Sequence, residues 1–176
     1  GQRSLSMALT SSSKARKPAK GRKPKKKKAR LHTKAEALSM AQRLARLRDT
    51  NGGTSTTKCI SCGKPLDYES SQGGHYISRT VLCICDDLDN INAQCPACNM
   101  FGGGNPIGYR RGLVAKIGIE RVERLEDMYL ASRGNEEALE RLDASDREKV
   151  TAKRSKRYWD ERYKELKDEC ERIGRD

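Results

Sequence analysis

The residues of this sequence with the most specific spacing for chemistry are two Cys-x-x-Cys motifs. Cys59 and Cys62 form the first motif, Cys95 and Cys98 form the second, and 32 residues separate them. Four thiolates at this spacing match a tetrahedral structural zinc site, which leaves no ligand position open for catalysis. A redox Cys-x-x-Cys pair is the competing interpretation, but two pairs are present and neither lies in a recognisable βαβ unit. We therefore predict that all four cysteines hold one structural zinc ion.

Three further cysteines do not belong to these motifs. Cys83 and Cys85 alternate with Leu82 and Ile84, as on a short strand, and Cys170 lies near the C-terminal end of the sequence. An unliganded cysteine behaves as a small apolar residue in a protein core. We predict a core position for Cys83 and Cys85 in preference to a role as metal ligands.

A single histidine lies between the two motifs. His75 directly follows Gly73 and Gly74, which permit the close approach of another backbone or of a phosphate. Arg79 adds a planar guanidinium that matches the geometry of a phosphate. An isolated histidine is more often structural than catalytic, so both interpretations stay open on this pattern alone.

The order of these residues resembles that of the HNH nucleases, which have the ββα-metal fold. His75 follows a short predicted strand, Asn90 precedes the second motif and Asn99 follows it directly. More narrowly, Cys-Ile-Ser-Cys-Gly, Gly-His-Tyr, Asn-Ile-x-x-Gln-Cys-x-x-Cys-Asn and a later Tyr-Arg look like the phage NinG family, also called Rap. The resemblance covers about residues 31–125 and is weaker along the C-terminal helices.

The resemblance implies a catalytic role for four residues. His75 would be the general base, since a neutral imidazole with a pKa near 6.5 can take a proton from an attacking water. Asn99 would be a ligand of a catalytic Mg²⁺ or Mn²⁺ ion, which stabilises charge on the phosphate and on the departing 3′ oxygen. Asn90 would orient the loop that carries His75, and Arg79 would grip the phosphate.

The resemblance also implies a function, a partner and a location. The protein would be a metal-dependent, structure-specific DNA endonuclease of phage recombination that cuts branched DNA such as Holliday junctions. A homodimer would place two active sites on opposing strands. Such a phage-encoded enzyme would work in the cytoplasm of the bacterial host cell.

The sequence departs from the family pattern at the expected ligands of the catalytic ion. Gly74 stands where many HNH enzymes carry an acidic ligand, and Gln72 stands where NinG relatives have aspartate. Asp67 or Glu69 would have to compensate. Asn92 occupies the place of a histidine that usually precedes the second motif. The second protein ligand of this ion is therefore undetermined.

Basic residues are concentrated at the N-terminus. The chain has 37 Lys and Arg against 24 Asp and Glu and a net charge of +13, but residues 1–30 hold 12 basic and no acidic residues. We predict a disordered arm over residues 1–32, which is either a solvated tail or an arm that follows a phosphate backbone. The predicted DNA-binding residues are Lys23, Lys25, Lys26, Lys27, Lys28, Arg30 and Arg79.

Helical patterns flank the cysteine-rich region. Thr33 and Glu36 form a capping box, and Ser145 and Glu148 form another. The predicted helices cover residues 33–50, 107–117, 120–132 and 145–173. We expect an α+β fold, in which a small zinc-stabilised ββα-metal core (HNH, treble-clef-like) over residues 54–107 is flanked by the helix at 33–50 and a helical region over 108–176.

Composition limits the alternatives. Only 35% of residues are hydrophobic and 5% are aromatic, so a large apolar core is excluded. The sequence contains no run of 18 apolar residues, so a membrane span is not predicted. No apolar segment follows the basic stretch, so a secretory signal is not predicted either. The competing hypothesis is a non-catalytic, zinc-stabilised protein that binds DNA or RNA. The third hypothesis is a protein-interaction adaptor.

Overall fold

The computed structural model describes residue 1 and residues 30–174. Its helices are α1 (Lys34–Asp49), α2 (Pro106–Ile117), α3 (Ile119–Ser132), α4 (Glu136–Arg141), α5 (Ala144–Thr151) and α6 (Lys156–Ile173). Its strands are β1 (Thr57–Lys58), β2 (Pro65–Leu66), β3 (Gln72–His75) and β4 (Ile91–Gln94). A π-helical turn, Ala97–Phe101, follows β4. The predicted DNA-binding residues Lys23, Lys25, Lys26, Lys27 and Lys28 lie outside the described residues.

Helix α1 begins at the predicted capping box. The Thr33 side chain accepts a hydrogen bond from the Glu36 N–H, and the Glu36 carboxylate accepts one from the Thr33 N–H at 2.8 Å. The apolar stripe of α1, including the buried Leu44, packs against α6 through Leu166 and against β4 through Ile91. Helix α1 therefore forms one wall for the strands that carry the candidate site.

The four strands form two small antiparallel sheets. Strand β1 pairs with β2, and β3 pairs with β4 in a register that places Gln72 opposite Gln94 and His75 opposite Ile91. Successive side chains in a strand point to opposite faces. A Cβ atom added to Gly73 would lie 2.7 Å from Gln42 of α1, so this face of the β3–β4 sheet lies against α1.

Two local predictions are wrong, and one helix was missed. Cys83 and Cys85 lie in turns and not on a strand, although both are buried in apolar clusters as predicted. The helix predicted over 145–173 is divided into α5 and α6, because Asp143, and not Ser145, caps α5 and Ser155 caps a new helix. The short helix α4 was not predicted.

The hydrophobic core is divided into small clusters. The largest lies among α2, α3 and α4 and includes Leu113, Leu125 and Met128. A second cluster joins α1 to α6, and a third surrounds Trp159. The fold is thus a helix-rich α+β arrangement with two small sheets. Nowhere in residues 30–174 is a helix both long enough and apolar enough to cross a bilayer.

Candidate metal centre and active site

The two Cys-x-x-Cys motifs meet in space. The sulfur atoms of Cys59, Cys62, Cys95 and Cys98 all lie within 4.8 Å of one another, and the Sγ atoms of Cys62 and Cys95 are 3.8 Å apart. A tetrahedron with Zn–S bonds of about 2.3 Å has edges of about 3.8 Å. The four-cysteine cluster can therefore hold a metal ion such as zinc.

Backbone hydrogen bonds shape this cluster. The Cys59 N–H donates to the Lys64 carbonyl at 2.8 Å, the Gly63 N–H donates to the Cys59 carbonyl at 2.9 Å, and the Cys95 N–H points at the Cys59 Sγ at 3.3 Å. Burial opposes ionisation of Cys59, but N–H donors from Cys95, Cys62 and Ser61 lower its pKa to about 7. Ionised thiolates are the form that binds zinc.

His75 lies at the end of β3 with one ring nitrogen already engaged. Its Nε2 atom is 3.0 Å from the Cys85 carbonyl oxygen. Because a carbonyl only accepts hydrogen bonds, Nε2 carries the proton of the neutral ring and Nδ1 keeps its lone pair. Burial lowers the pKa of His75, the hydrogen bond to Cys85 opposes this shift in part, and the positive charges of Arg79 and Lys34 add to the lowering. The ring is therefore a neutral base with its free lone pair at Nδ1.

Asn90 holds the chain on both sides of the turn that follows His75. This fully buried side chain donates to the carbonyls of Ile77 at 2.9 Å and Ile84 at 3.0 Å, and it accepts from the Ile77 N–H at 2.7 Å. The Tyr76 N–H donates to the Asn90 carbonyl at 2.9 Å. These bonds fix the turn, so β3 ends at His75 and residues 76–77 form a bend.

Asn99 lies in the π-helical turn that contains Cys98. Its side-chain amide donates to the Gln72 Oε1 atom at 2.8 Å, which joins the turn to β3. Both residues line a cavity of about 410 Å³ with Arg43 and Arg46 of α1. Asn99 therefore has an amide oxygen available at a positively charged cavity.

The two arginines of this cavity differ in freedom. The Arg46 guanidinium lies 4.1 Å from the centre of the Tyr68 ring and donates to the Tyr68 carbonyl at 2.6 Å. Arg43 is exposed, and its side chain makes no hydrogen bond or ion pair within the described part of the chain. Arg43 can therefore turn toward an anion, whereas Arg46 is already held.

Arg79 borders a second cavity on the same helix. This cavity, of about 590 Å³, is lined by Lys34, Ser39, Gln42 and Arg79, and the Lys34 ammonium donates to the Arg79 carbonyl at 3.2 Å. Ser39 and Gln42 also line the cavity of Asn99. One face of α1 therefore connects the Arg79 side of the site with the Asn99 side.

The geometry explains the glycine at the usual position of an acidic ligand. A Cβ atom on Gly74 would lie 2.0 Å from the Gln94 Oε1 atom. Gln94 is fully buried, and its Nε2 donates to the Ser61 hydroxyl at 2.7 Å and to the Gly104 carbonyl at 2.6 Å. Gln94 therefore occupies the space that a side chain at residue 74 would need.

Asp67 and Glu69, the expected substitutes for that ligand, do not line the Asn99 cavity. The Asp67 carboxylate accepts from the Ser70 N–H and from the Ser70 hydroxyl, both at 2.7 Å. Those bonds lower the pKa of Asp67. The Asp67 carboxylate therefore closes a turn between β2 and β3.

Asn92, at the usual place of a histidine, is part of a buried network that joins β4 to α1 and α2. Its side-chain Oδ1 atom accepts from Lys116 at 2.7 Å and from Arg48 at 3.0 Å. The Tyr109 hydroxyl, 3.3 Å from the Asn92 amide, donates to the Gly74 carbonyl at 2.8 Å. Sequence reasoning missed this network, although Tyr109 belongs to the Tyr-Arg pair noted as a family motif.

These features define a helix-rich α+β protein that has a four-cysteine cluster able to hold a metal ion and a partly buried histidine at the end of β3. The chain matches the family model described as Bacteriophage Lambda NinG protein over residues 2–158, so it belongs to the NinG family. It is 29% identical to Protein ninG of Salmonella phage P22 and of Escherichia phage 933W over 99 residues, which is 56% of this chain and 49% of each relative.

Protein ninG of Escherichia phage lambda is 28% identical over 99 residues, which is 56% of this chain and 48% of that protein. The chain thus spans about half the length of the curated relatives it matches. No solved structure matches the chain. The comparisons therefore confirm the NinG family and leave the HNH assignment as a prediction.

Proposed function

We propose that this protein is a metal-dependent DNA endonuclease of the HNH type, which acts in phage recombination on branched DNA such as Holliday junctions. The observation that carries the proposal is the state of His75. Its Nε2 is held by the Cys85 carbonyl, its Nδ1 has no hydrogen-bond partner among the described residues, and its pKa is lowered. A general base at neutral pH needs these properties.

The order of elements supports the same proposal. The antiparallel strands β3 and β4 are followed by the π-helical turn. His75 ends β3, Asn90 directly precedes β4, and Asn99 lies in the turn. The two strands and the turn have the order of a ββα-metal unit. The four-cysteine cluster braces the turn through Cys98, so a structural zinc would fix Asn99 relative to β3.

In the proposed reaction, His75 Nδ1 takes a proton from a water molecule. The water oxygen forms a bond to phosphorus while the bond from phosphorus to the 3′ oxygen breaks. Arg79, Lys34 and Arg43 hold the phosphates along α1. Asn99 would be one ligand of a divalent ion, and such an ion would supply charge stabilisation for the phosphate and for the leaving oxygen.

The basic arm supplies DNA affinity in this proposal. Arg30 lies four residues before the start of α1 and forms an exposed ion pair with Glu36 at 2.6 Å. The arm therefore joins the protein at the Lys34 end of the positively charged face of α1. We further propose a homodimer, which would place two active sites on opposing strands of a junction, in the cytoplasm of the host cell.

The experiment is cleavage of a labelled four-way junction and of a linear duplex of matching sequence. Wild type is expected to cut in Mg²⁺ or Mn²⁺, and His75→Ala and Asn99→Ala are expected to lose at least about 100-fold in rate. Arg157→Ala, on the exposed surface of α6, is the control variant. Failure of wild type to cut with any divalent ion would reject the enzyme, while equal cutting of both substrates would reject only the branch preference.

The second candidate is a non-catalytic, zinc-stabilised protein that binds DNA or RNA. The observation in its favour is the absence of an acidic side chain among the described residues that line the Asn99 cavity. This candidate predicts that His75→Ala keeps full nucleic-acid affinity and that wild type cuts neither substrate. A filter-binding assay beside the cleavage assay distinguishes the two functions.

A further inference from the structure

The turn that follows Asn99 exposes two large apolar side chains. Phe101, the only phenylalanine of the chain, is 83% exposed, and Met100 is 63% exposed. Isolated apolar residues are common on protein surfaces. These two are adjacent to each other and follow the proposed ligand of the catalytic ion directly, so their position calls for a specific explanation.

The turn is braced and does not hang freely from the fold. The Asn99 N–H donates to the Cys95 carbonyl at 3.0 Å, and the Gly104 N–H donates to the Cys98 carbonyl at 3.0 Å. The Met100 sulfur accepts from the Gln72 amide at 3.3 Å. The metal-centre cysteines therefore hold the backbone that presents Phe101.

The residues after Phe101 leave its ring uncovered. Gly102, Gly103 and Gly104 have no side chains, and a Cβ atom at Gly103 or Gly104 would have no neighbour within 4 Å. Phe101 therefore stands on a fixed turn beside open space, where a planar ligand can reach its face.

The charge beside the turn indicates what that ligand is. The cavity that contains Asn99 is lined by Arg43 and Arg46, and no acidic side chain lines it among the described residues. Phe101 lies two residues from Asn99, so their Cα atoms are at most about 7.6 Å apart. A phosphate held at the arginines would bring a neighbouring base within reach of the ring.

We propose that Phe101 stacks on an unpaired base next to the phosphate that is cut, with Met100 beside it, and that this contact selects branched DNA. The inference rests on the proposed function, and it identifies Phe101 as the residue that sets the substrate preference of the endonuclease. Aromatic side chains stack on any base, and apolar wedges separate base steps. A base in continuous duplex must first be unstacked, whereas a branch point offers one that is already exposed.

The test is binding to a four-way junction with 2-aminopurine at the branch point and to a duplex with the same label, without added Mg²⁺ and with full-length protein. Wild type and Phe101→Tyr are expected to change the fluorescence of the junction label and to prefer the junction. Phe101→Ala should abolish the fluorescence change and reduce the ratio of junction affinity to duplex affinity by about 10-fold. Leu130→Ala, an exposed apolar residue of α3, is the control and should behave as wild type.

An unchanged affinity ratio in Phe101→Ala, or an equal loss on both DNAs, would overturn the stacking role. A shift of Phe101→Ala from dimer to monomer in sedimentation, with the fluorescence change retained, would overturn it in favour of self-association. The proposed function fails separately. If wild type cuts neither DNA but keeps a Phe101-dependent junction preference, the cleavage proposal alone is wrong.

Discussion

Only one ring nitrogen of His75 can act as a base, because the Cys85 carbonyl holds the other at 3.0 Å. The residue type and its neighbours in the sequence identified His75 as a candidate. They did not indicate Cys85 as its partner, because a backbone carbonyl from a later turn has no sequence signature. Arg43 was missed for a similar reason, since an arginine on a helix is usually solvent-exposed and acquires meaning only beside Asn99.

His75 leads to a prediction at the residue scale. Because burial and the charges of Arg79 and Lys34 lower its pKa below 6.5, the single-turnover cleavage rate should rise with pH to a plateau, with a midpoint below pH 6.5. The measurement is cleavage of bound junction between pH 5 and 8. His75→Ala should lack this dependence, and a midpoint above pH 6.5 in wild type would contradict the assignment.

The same lowered pKa predicts how stability depends on pH. The unfolded chain binds a proton at His75 near pH 6.5, whereas the folded protein binds it only at lower pH. The free energy of unfolding contributed by neutral His75 is therefore complete above pH 6.5 and decreases as pH falls toward the folded pKa. In urea denaturation, the free energy of unfolding of His75→Gln should decrease less than that of wild type as pH falls below 6.5. An equal decrease in both proteins would contradict this prediction.

Gly74 permits a second test at a single residue. Gly74→Asp should reduce the free energy of unfolding by about 2–4 kcal/mol, because its Cβ atom would lie 2.0 Å from the Gln94 amide oxygen and its charge would be buried. Gln94→Ala opens that space, so the double variant should be more stable than the sum of the two single losses predicts. If the losses in the free energy of unfolding are additive in urea denaturation, Gln94 does not fill the space beside residue 74.

At the scale of elements, patterns of local origin were predicted well. The Thr33 capping box starts α1 as expected, and the helices predicted over 107–117 and 120–132 are present as α2 and α3. The bend after His75 and the break between α5 and α6 were not predicted, because Asn90 and Ser155 decide them through hydrogen bonds. A polar side chain that can cap, turn or remain solvated gives no single local signal.

The metal centre gives the prediction for elements. Cys95→Ser removes one of the four candidate metal ligands, so it should release metal and lower stability by several kcal/mol. Cleavage should also be abolished, because Cys98 of the same cluster belongs to the turn that carries Asn99. Cys170→Ala, which removes a buried cysteine between α1 and α6, should keep the metal even if it loses some stability. Bound metal can be followed by the absorption of Co²⁺ in place of zinc, and a metal-free variant that still cuts would contradict this role.

At the scale of the whole molecule, charge and chemistry are separated along the chain. Residues 1–30 contain 12 of the 37 basic residues, whereas the remainder is nearly neutral with 25 basic and 24 acidic residues. Many basic residues of the body are already paired, as Arg124 is with Asp146 at 2.5 Å. The arm can therefore dominate long-range attraction to DNA, while residues 30–174 contain the candidate metal centre and His75.

Deletion of residues 1–29 tests this division. Junction affinity should fall, and the slope of log affinity against log salt should become less steep because fewer counterions are released on binding. The single-turnover rate at saturating protein should stay within about twofold of wild type. Affinity measured at several salt concentrations, together with that rate, checks the prediction. A trimmed protein that binds normally but cannot cut would show that the arm has a catalytic role.

The sequence by itself determined the NinG resemblance, the four candidate zinc ligands, the capped start of α1 and the concentration of basic residues at the N-terminus. These depend on residue type and on short spacing, which a linear chain displays directly. Only the tertiary structure brought the cysteines within 4.8 Å, placed the Cys85 carbonyl at His75, filled the space at Gly74 with Gln94 and placed Arg43 and Asn99 around one cavity. Contacts between distant parts of the chain decide these features, because each one requires packing between elements that no local pattern encodes.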